Sequence, residues 1–176
     1  MALRLHWPSP GILPGVKRWR TIWKGASLRI RLSRSVTCLA LRALLALNHS
    51  EPSKAIELLQ IAVPYDLGAP RSGFHGFFGT FYPLYVRGEA YLAAHQTAAA
   101  AAEFQKILDH REIVVSDPIG ALAHLQLGRA FALSGDKTKA RTAYQDFLAL
   151  WKDADPDIPI LKQAKAEYAK LQVSGE

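Results

Sequence analysis

The chain has 176 residues, enough for one domain with a hydrophobic core, and its apolar (49%) and charged (21%) fractions are those of an ordinary globular protein. Its net charge of +7 is unevenly distributed, because residues 1–50 contain nine Lys and Arg and no acidic residue, whereas residues 51–176 contain 13 basic and 15 acidic residues. This distribution argues against nucleic-acid binding by the protein as a whole. The single cysteine, Cys38, excludes an internal disulfide, and we expect it to be a small buried side chain in a reduced, cytoplasmic setting.

Residues 1–34 show no helical or strand periodicity, and Pro8, Pro10 and Pro14 interrupt regular structure early. We therefore expect a basic, irregular N-terminal segment. Residues 17–24 interleave basic residues with tryptophans, which could bind RNA, anionic lipid or an acidic protein surface, but a poorly packed tail is the simpler interpretation. The chain contains no apolar stretch of the roughly 20 residues that a membrane span requires, and its start lacks the pattern of a secretory signal.

The first predicted helical hairpin covers about 36–63. Residues 36–47 are apolar almost all round, as in a helix packed between neighbours, and 53–63 have apolar residues at the spacing of an amphipathic helix. Residues 64–80 are rich in glycine and proline and form the longest interruption. Four phenylalanines there could cover the first hairpin or form an exposed docking loop, and we favour the cover because an exposed patch of this kind promotes aggregation. They are Phe74, Phe77, Phe78 and Phe81.

Two further hairpins are predicted at about 81–110 and 118–151, separated by a loop at 112–117. Asp117 and Pro118 suit the N-cap and first position of a helix. A last helix, at 159–171, has a polar face that includes Lys162 and Glu167, as expected of a solvated capping helix. The predicted organisation is thus an N-terminal segment (1–34) followed by a helical domain (35–171).

A small residue and an aromatic residue recur in one register along these hairpins. The equivalent positions lie 40 residues apart, and an offset of 45 places Ala43, Ala55 and Leu59 at the matching positions of the first hairpin. Small residues allow two helices to approach closely, and the aromatic rings fill the space between hairpins. The residues that define this packing are Gly88, Tyr91, Ala100 and Phe104 in one repeat, and Gly128, Phe131, Ala140 and Tyr144 in the next.

These positions resemble the pattern of the tetratricopeptide repeat (TPR) family over about residues 36–171. The resemblance implies an all-α fold in which antiparallel helical hairpins stack as a short α-solenoid with a C-terminal capping helix. Three features depart from the pattern: the spacing of 40 and 45 residues where about 34 is usual, the missing early tryptophan, and Glu112 and Lys152 where a repeat-ending proline would fall. Longer loops between repeats absorb the extra length and leave the superhelix geometry open.

Residues 85–95, 104–110, 130–136 and 144–152 are similar to the C-terminal TPR region of bacterial, acidobacterial-type eukaryotic-like serine/threonine protein kinases. That resemblance implies a signalling-associated fragment or relative of such a kinase. The kinase motifs themselves are not found in this chain. The glycines at 73, 76 and 79 have the wrong spacing, Glu112 stands where a catalytic Asp is needed, and Asp146-Phe147-Leu148 lacks the glycine of a metal-binding motif. We therefore expect a protein that is not an enzyme.

Metal and cofactor sites are not expected either. The six histidines include no pair at helical i, i+4 spacing with the glutamate of a zinc hydrolase. Asp153, Asp155 and Asp157 alternate like part of a calcium loop but lack its glycine and distal glutamate.

The remaining expectation is a non-catalytic protein–protein interaction scaffold that binds an unidentified protein or peptide. The TPR resemblance places a partner-binding groove on the first helix of each hairpin, although Tyr82 and Tyr85 could equally be core residues. A carboxylate clamp of the type that binds chaperone tails is disfavoured, because the places where Lys and Asn would be needed are occupied by Tyr85 and Glu89 in one repeat and by Leu125 and Arg129 in the next. The alternative function is nucleic-acid or anionic-membrane binding through the basic N-terminal segment. The candidate groove residues are Tyr82, Tyr85, Glu89, Gln126 and Arg129.

Overall fold

The computed structural model describes residue 36 and residues 38–68, 81–114 and 117–173, all within one of two units of the chain, Val36–Glu176. Every element of regular secondary structure in these ranges is a helix, which confirms the predicted all-α class. The elements are α1 (38–48), α2 (Pro52–Gln60), a 3-10 helix (Val63–Tyr65), α3 (Tyr82–Ala93), α4 (Thr97–Leu108), α5 (Arg111–Val114), α6 (Ile119–Ser134), α7 (Lys137–Leu150) and α8 (Pro159–Val173).

The same turn joins the two helices of three successive pairs, α1–α2, α3–α4 and α6–α7. In each turn one residue has a left-handed backbone, and the amide that follows it donates a hydrogen bond to the carbonyl five residues earlier, which is the Schellman geometry of a helix C-terminus. The three turns lie 45 and 40 residues apart, the offsets of the sequence repeat. Their left-handed residues are Ser50, His95 and Gly135, with φ of 59°, 57° and 85°, and their closing N–O distances are 2.9, 2.8 and 3.0 Å.

The second helix of each pair begins two residues after the left-handed position. In α2 this first residue is Pro52, whose missing amide hydrogen costs no helical hydrogen bond there. In α7 the preceding Asp136 caps the helix, because its carboxylate accepts a hydrogen bond from the Lys139 amide at 3.1 Å. The fourth residue of each second helix is a fully buried alanine, and these are Ala55, Ala100 and Ala140.

The small and aromatic residues of the repeat contact each other within a pair. A Cβ atom added to Gly88 would lie 2.6 Å from the Phe104 ring, and one added to Gly128 would lie 2.9 Å from the Tyr144 ring. Both aromatic residues are buried, since Phe104 is 0% exposed and Tyr144 is 2% exposed. Only glycine lets the two helices of these pairs lie this close.

Among the described residues, three hydrophobic clusters hold the helices together. The first joins α1, α2 and α3 through alanines and Leu59, and the second joins α3, α4, α6 and α7 around Leu84, Phe104 and Ile107. The third packs α8 against α6 and α7, where Leu161 and Ala164 of α8 are buried against a group that includes Phe147. Each cluster thus ties a helix pair to the next helix in the chain.

Two local predictions are wrong. Cys38 is exposed, and so are Leu41 (57%) and Leu45 (59%), because α1 packs through its opposite side, where Ala40 and Ala43 are buried. The region predicted as a loop at 112–117 contains the short helix α5. Its Val114 side chain packs so closely on α6 that a Cβ added to Gly120 would lie 2.7 Å from it. This contact gives α5 an apolar anchor that holds a helical turn in place.

The start of α6 differs by one residue from the prediction. Pro118 precedes the helix, which begins at Ile119, and the Asp117 carboxylate accepts a hydrogen bond from the Ile119 amide at 3.1 Å. Of the phenylalanine cluster, the structure describes Phe81, which is 2% exposed and packs in the second cluster. The other three phenylalanines and residues 1–34 lie outside the described residues.

Candidate functional site

Four of the five predicted groove residues lie in one hydrogen-bonded network between α3 and α6. The side-chain amide of Gln126 donates to the Tyr85 hydroxyl at 3.0 Å and to Oε1 of Glu89 at 2.9 Å. Arg129, one turn further along α6, directs Nη1 towards Oε1 of Gln126 at 3.4 Å. Tyr85 and Glu89 are four residues apart in α3 and therefore on the same side of that helix. The predicted residues thus converge on one face.

The network continues into α8 through Glu167. Arg129 binds this carboxylate with both Nε and Nη2, each at 2.9 Å, and the Tyr144 hydroxyl donates to its Oε2 at 2.8 Å. The prediction that Glu167 belongs to a solvated face is therefore wrong, because α8 lies against α7 with this side chain turned inward. Glu167 follows Ala164 by three residues and therefore lies on the same side of α8, and Ala164 is buried. This spacing is the one signal in the sequence that Glu167 could face the other helices.

We call this region the α3/α6/α8 face and define it by six residues, of which Gln126 is itself buried, with 7% of the residue exposed. Tyr82 lies at the edge of the face and is 45% exposed. Tyr82 is therefore a surface residue, whereas Tyr85 is half-buried. Tyr85 also packs edge-on against the Phe104 ring, at a centroid distance of 5.7 Å. The residues of the face are Tyr82, Tyr85, Glu89, Gln126, Arg129 and Glu167.

Burial shapes the ionisation of the face. It raises the pKa of Glu89, although hydrogen bonds from Tyr85 and Gln126 and the charge of Arg129 act in the opposite direction. It also raises the pKa of Tyr85, with a further contribution from the Glu89 carboxylate, and that of Tyr144. Burial alone would lower the pKa of Arg129, but hydrogen bonding and charge pairing with Glu167 raise it. Both phenols are therefore neutral at pH 7, and Arg129 is a permanent cation.

A second group of charges is buried between α3, α4 and the 3-10 helix. The Arg87 guanidinium, 1% exposed, binds Glu103 through Nε and Nη2 at 2.9 and 2.6 Å and Asp66 through Nη1 and Nη2 at 3.2 and 2.6 Å. Nζ of Lys106 lies 3.0 Å from Asp66, so two cations neutralise two carboxylates. Burial would lower the pKa of Arg87, but its hydrogen bonds to Glu103 and Asp66 raise it. Sequence reasoning missed this cluster, for which the one signal was an arginine on the buried side of α3.

A recess of about 200 Å³ lies away from the α3/α6/α8 face, between α4, α5, α6 and α7. Arg111, His124 and Leu150 line it, and Nδ1 of His124 is 3.6 Å from the Asp146 carboxylate. Burial lowers the pKa of His124, with Asp146 acting in the opposite direction, so this side chain is neutral at pH 7. The recess holds charged groups of both signs on an open surface and was not predicted.

In the part of the chain that the structure describes, no group of three or more His, Cys, Asp and Glu side chains is arranged to hold a metal ion. None of the helices there combines the length and the apolar character needed to cross a bilayer. The glycines at 73, 76 and 79 and the basic residues 17–24 lie outside the described residues.

The chain matches none of the known protein families, and no curated protein is similar to it.

Proposed function

We propose that this chain is a non-catalytic protein–protein interaction scaffold of three TPR-like helix pairs, and that its α3/α6/α8 face binds a peptide segment of a partner. The repeated architecture supports this. The same Schellman turn and the same buried alanine recur at offsets of 45 and 40 residues, and the same contact between a glycine and an aromatic ring recurs at the offset of 40. Repeats of this kind place the first helix of every pair on one side of the array, where a partner can contact several of them together.

The observation that carries the proposal is the network on that side. It joins Tyr85, Gln126 and Glu167, from the first helices of two pairs and from α8. Polar side chains that are already hydrogen-bonded to one another are held in place before a ligand arrives, which lowers the entropic cost of binding. Tyrosine and arginine are also the residue types most enriched where binding energy is concentrated in protein interfaces.

The same proposal extends to the origin of the chain. The stretches similar to the TPR regions of bacterial serine/threonine kinases, among them 85–95 and 144–152, support a cytoplasmic fragment or relative of a signalling kinase. A kinase domain encoded in frame, or separated by one frameshift, upstream of this reading frame is the expected result. An unrelated upstream gene with its own terminator contradicts this part of the proposal and leaves the scaffold function standing.

Peptide-library selection on the immobilised full chain tests the scaffold function. We expect enrichment of peptides whose binding is lost in the double variant Tyr82→Ala/Gln126→Ala. The matched control is Leu150→Ala, which truncates an exposed side chain on α7 outside the face, 61% exposed in the structure. Circular dichroism establishes that both variants are folded. Peptides that bind all three proteins equally, or no enrichment with any library, would show that the α3/α6/α8 face is not a binding surface.

A further inference from the structure

The α3/α6/α8 face carries an excess negative charge. Its ionisable groups other than the neutral phenols are Glu89, Glu167 and Arg129. Arg129 directs two of its nitrogens at Glu167 and the third at Gln126, and none of the described lysines or arginines forms an ion pair with Glu89. Two carboxylates are therefore balanced by a single guanidinium.

The same chain treats its other buried carboxylates differently. Asp66 and Glu103 are matched by Arg87 and Lys106, so the buried cluster is electrically neutral. A partly buried carboxylate that forms no direct ion pair is costly for folding, because it loses hydration and gains only the weaker attraction of a more distant opposite charge. Burial accordingly raises the pKa of Glu89. A carboxylate that destabilises the fold in this way, and whose polar neighbours are held in place by hydrogen bonds, is a candidate for binding a ligand.

The neighbours of Glu89 suit a cation. Gln126 holds Oε1 through a hydrogen bond, which fixes the orientation of the carboxylate. Tyr82 and Tyr85 precede Glu89 by seven and four residues and so share its side of α3, and Tyr82 is 45% exposed. Tyrosine rings attract ammonium and guanidinium groups through their negative faces. A carboxylate beside neutral tyrosines thus offers both kinds of contact that a basic side chain makes.

We infer that the α3/α6/α8 face binds a lysine- or arginine-containing peptide of a partner protein, whose cation pairs with Glu89 beside Tyr82 and Tyr85. The inference rests on the proposed scaffold function and adds the chemistry of the partner. An acidic peptide or a nucleic-acid phosphate is disfavoured at this face, because the one arginine there is already bound on both sides of its guanidinium by Glu167 and Gln126.

The net positive charge of the chain opposes the binding of basic peptides, which helps to separate binding at the face from non-specific attraction. The net charge is +7, with nine basic residues in 1–50, so non-specific electrostatics favour acidic ligands and oppose basic ones. Fluorescence anisotropy of the full chain is measured with three labelled peptides of equal length and a common Gly/Ser/Tyr frame, carrying lysines and arginines, glutamines or glutamates. We expect the basic peptide to bind more tightly than the glutamine peptide, against the direction of the overall charge.

Glu89→Gln is the decisive variant, because it removes the charge and keeps a hydrogen-bond acceptor for Gln126. We expect it to weaken binding of the basic peptide by about tenfold, the scale of one charge-assisted hydrogen bond. The matched control is Asp146→Asn, which removes one negative charge from a 52%-exposed side chain on α7 and should change binding by less than about twofold.

Three results would overturn the inference. One is equal weakening by Glu89→Gln and Asp146→Asn, which would mean that overall charge and not the face governs binding. Another is preferential binding of the glutamate peptide that is lost in Tyr82→Ala/Gln126→Ala, which would retain the scaffold function with a partner of opposite charge. The last is failure of the basic peptide to bind a chain that still enriches other peptides through the face in the library selection.

Discussion

His95 has a left-handed backbone conformation, with φ of 57°, at the turn position where Gly135 has φ of 85° in the next helix pair. The two turns have the same closing hydrogen bonds, from the Gln96 amide to the Tyr91 carbonyl and from the Asp136 amide to the Phe131 carbonyl. Glycine adopts this conformation without strain, whereas a residue with a Cβ atom pays for it. One turn is therefore relaxed and its equivalent is strained.

Exchanging these residue types should shift stability in opposite directions. His95→Gly should raise the free energy of unfolding by about 0.5–1 kcal/mol, because the relief of strain exceeds the added flexibility of the unfolded chain. Gly135→Ala should lower it by about 1 kcal/mol, and for backbone reasons alone, since no atom lies within 4 Å of the added methyl group. Urea unfolding measures both. Two variants with wild-type stability would contradict the equivalence of the turns.

The close contact between Gly88 and Phe104 predicts a penalty for one added methyl group. Overpacking costs about 1–3 kcal/mol, and the better helix propensity of alanine returns about 1 kcal/mol. Gly88→Ala should therefore destabilise the fold by up to about 2 kcal/mol in urea unfolding. Phe104→Leu removes the ring atoms that the methyl would meet at 2.6 Å, so Gly88→Ala should cost less in that background. An unchanged cost there would show that the ring is not the obstacle.

Arg87 should be among the residues on which folding depends most. Arg87→Ala leaves the buried Asp66 and the partly buried Glu103 carboxylates with only Lys106 nearby, and we expect a loss of roughly 3–5 kcal/mol in the free energy of unfolding. Hydrogen exchange should become faster at the amides around Asp66, because the 3-10 helix loses its link to α3.

The control for Arg87 is Lys54→Ala. It breaks a pair with Glu51 in which the side chains are 62% and 47% exposed, and it should leave stability unchanged. Equal effects of the two variants would mean that the buried cluster contributes no more than a surface ion pair.

The raised pKa of Glu89 gives its contribution to stability a defined pH dependence. Burial makes the folded chain hold the proton of Glu89 more tightly than the unfolded chain, whose carboxyl titrates near the ordinary value of 4.5. The ionised form therefore weakens the fold above the raised folded-state pKa, and this cost disappears as pH falls through that value towards 4.5.

Glu89→Gln should consequently be more stable than the wild type at pH 7, with a difference that shrinks as the pH is lowered to 4. Thermal unfolding of both proteins across this range provides the comparison, and the difference between them cancels the titration of all other groups. A variant that is less stable at pH 7 would mean that the carboxylate has a cationic partner in the folded protein.

Local signals in the chain predicted the helix pairs but not their ionic contacts. The recurrence of Gly88 with Phe104 and of Gly128 with Tyr144 was visible as a pattern, because the close approach of two helices restricts residue types at a fixed spacing. The burial of Cys38 was predicted wrongly because no such pattern was available there. The helix α1 is apolar almost all round, and periodicity does not tell which side of such a helix faces the core.

Only part of the candidate site could be predicted from the sequence. Tyr85, Glu89, Gln126 and Arg129 could be placed on the first helices of their pairs from the repeat register, and the structure brings them within hydrogen-bond distance. Glu167 could not be placed, because it has no equivalent in the repeat register and its role depends on where α8 packs.

The sequence by itself determined the helices, their turns and the small-to-aromatic contacts within two of the pairs, since these depend on residues close together in the chain or repeated at a fixed interval. Only the tertiary structure decided which charges meet. Asp66 reaches Arg87 across 21 residues, and Glu167 reaches Arg129 across 38. An ion pair between distant residues produces no periodic pattern in the sequence, because it requires only that two side chains of opposite charge lie close together. Which side chains lie close together is decided when the helices pack.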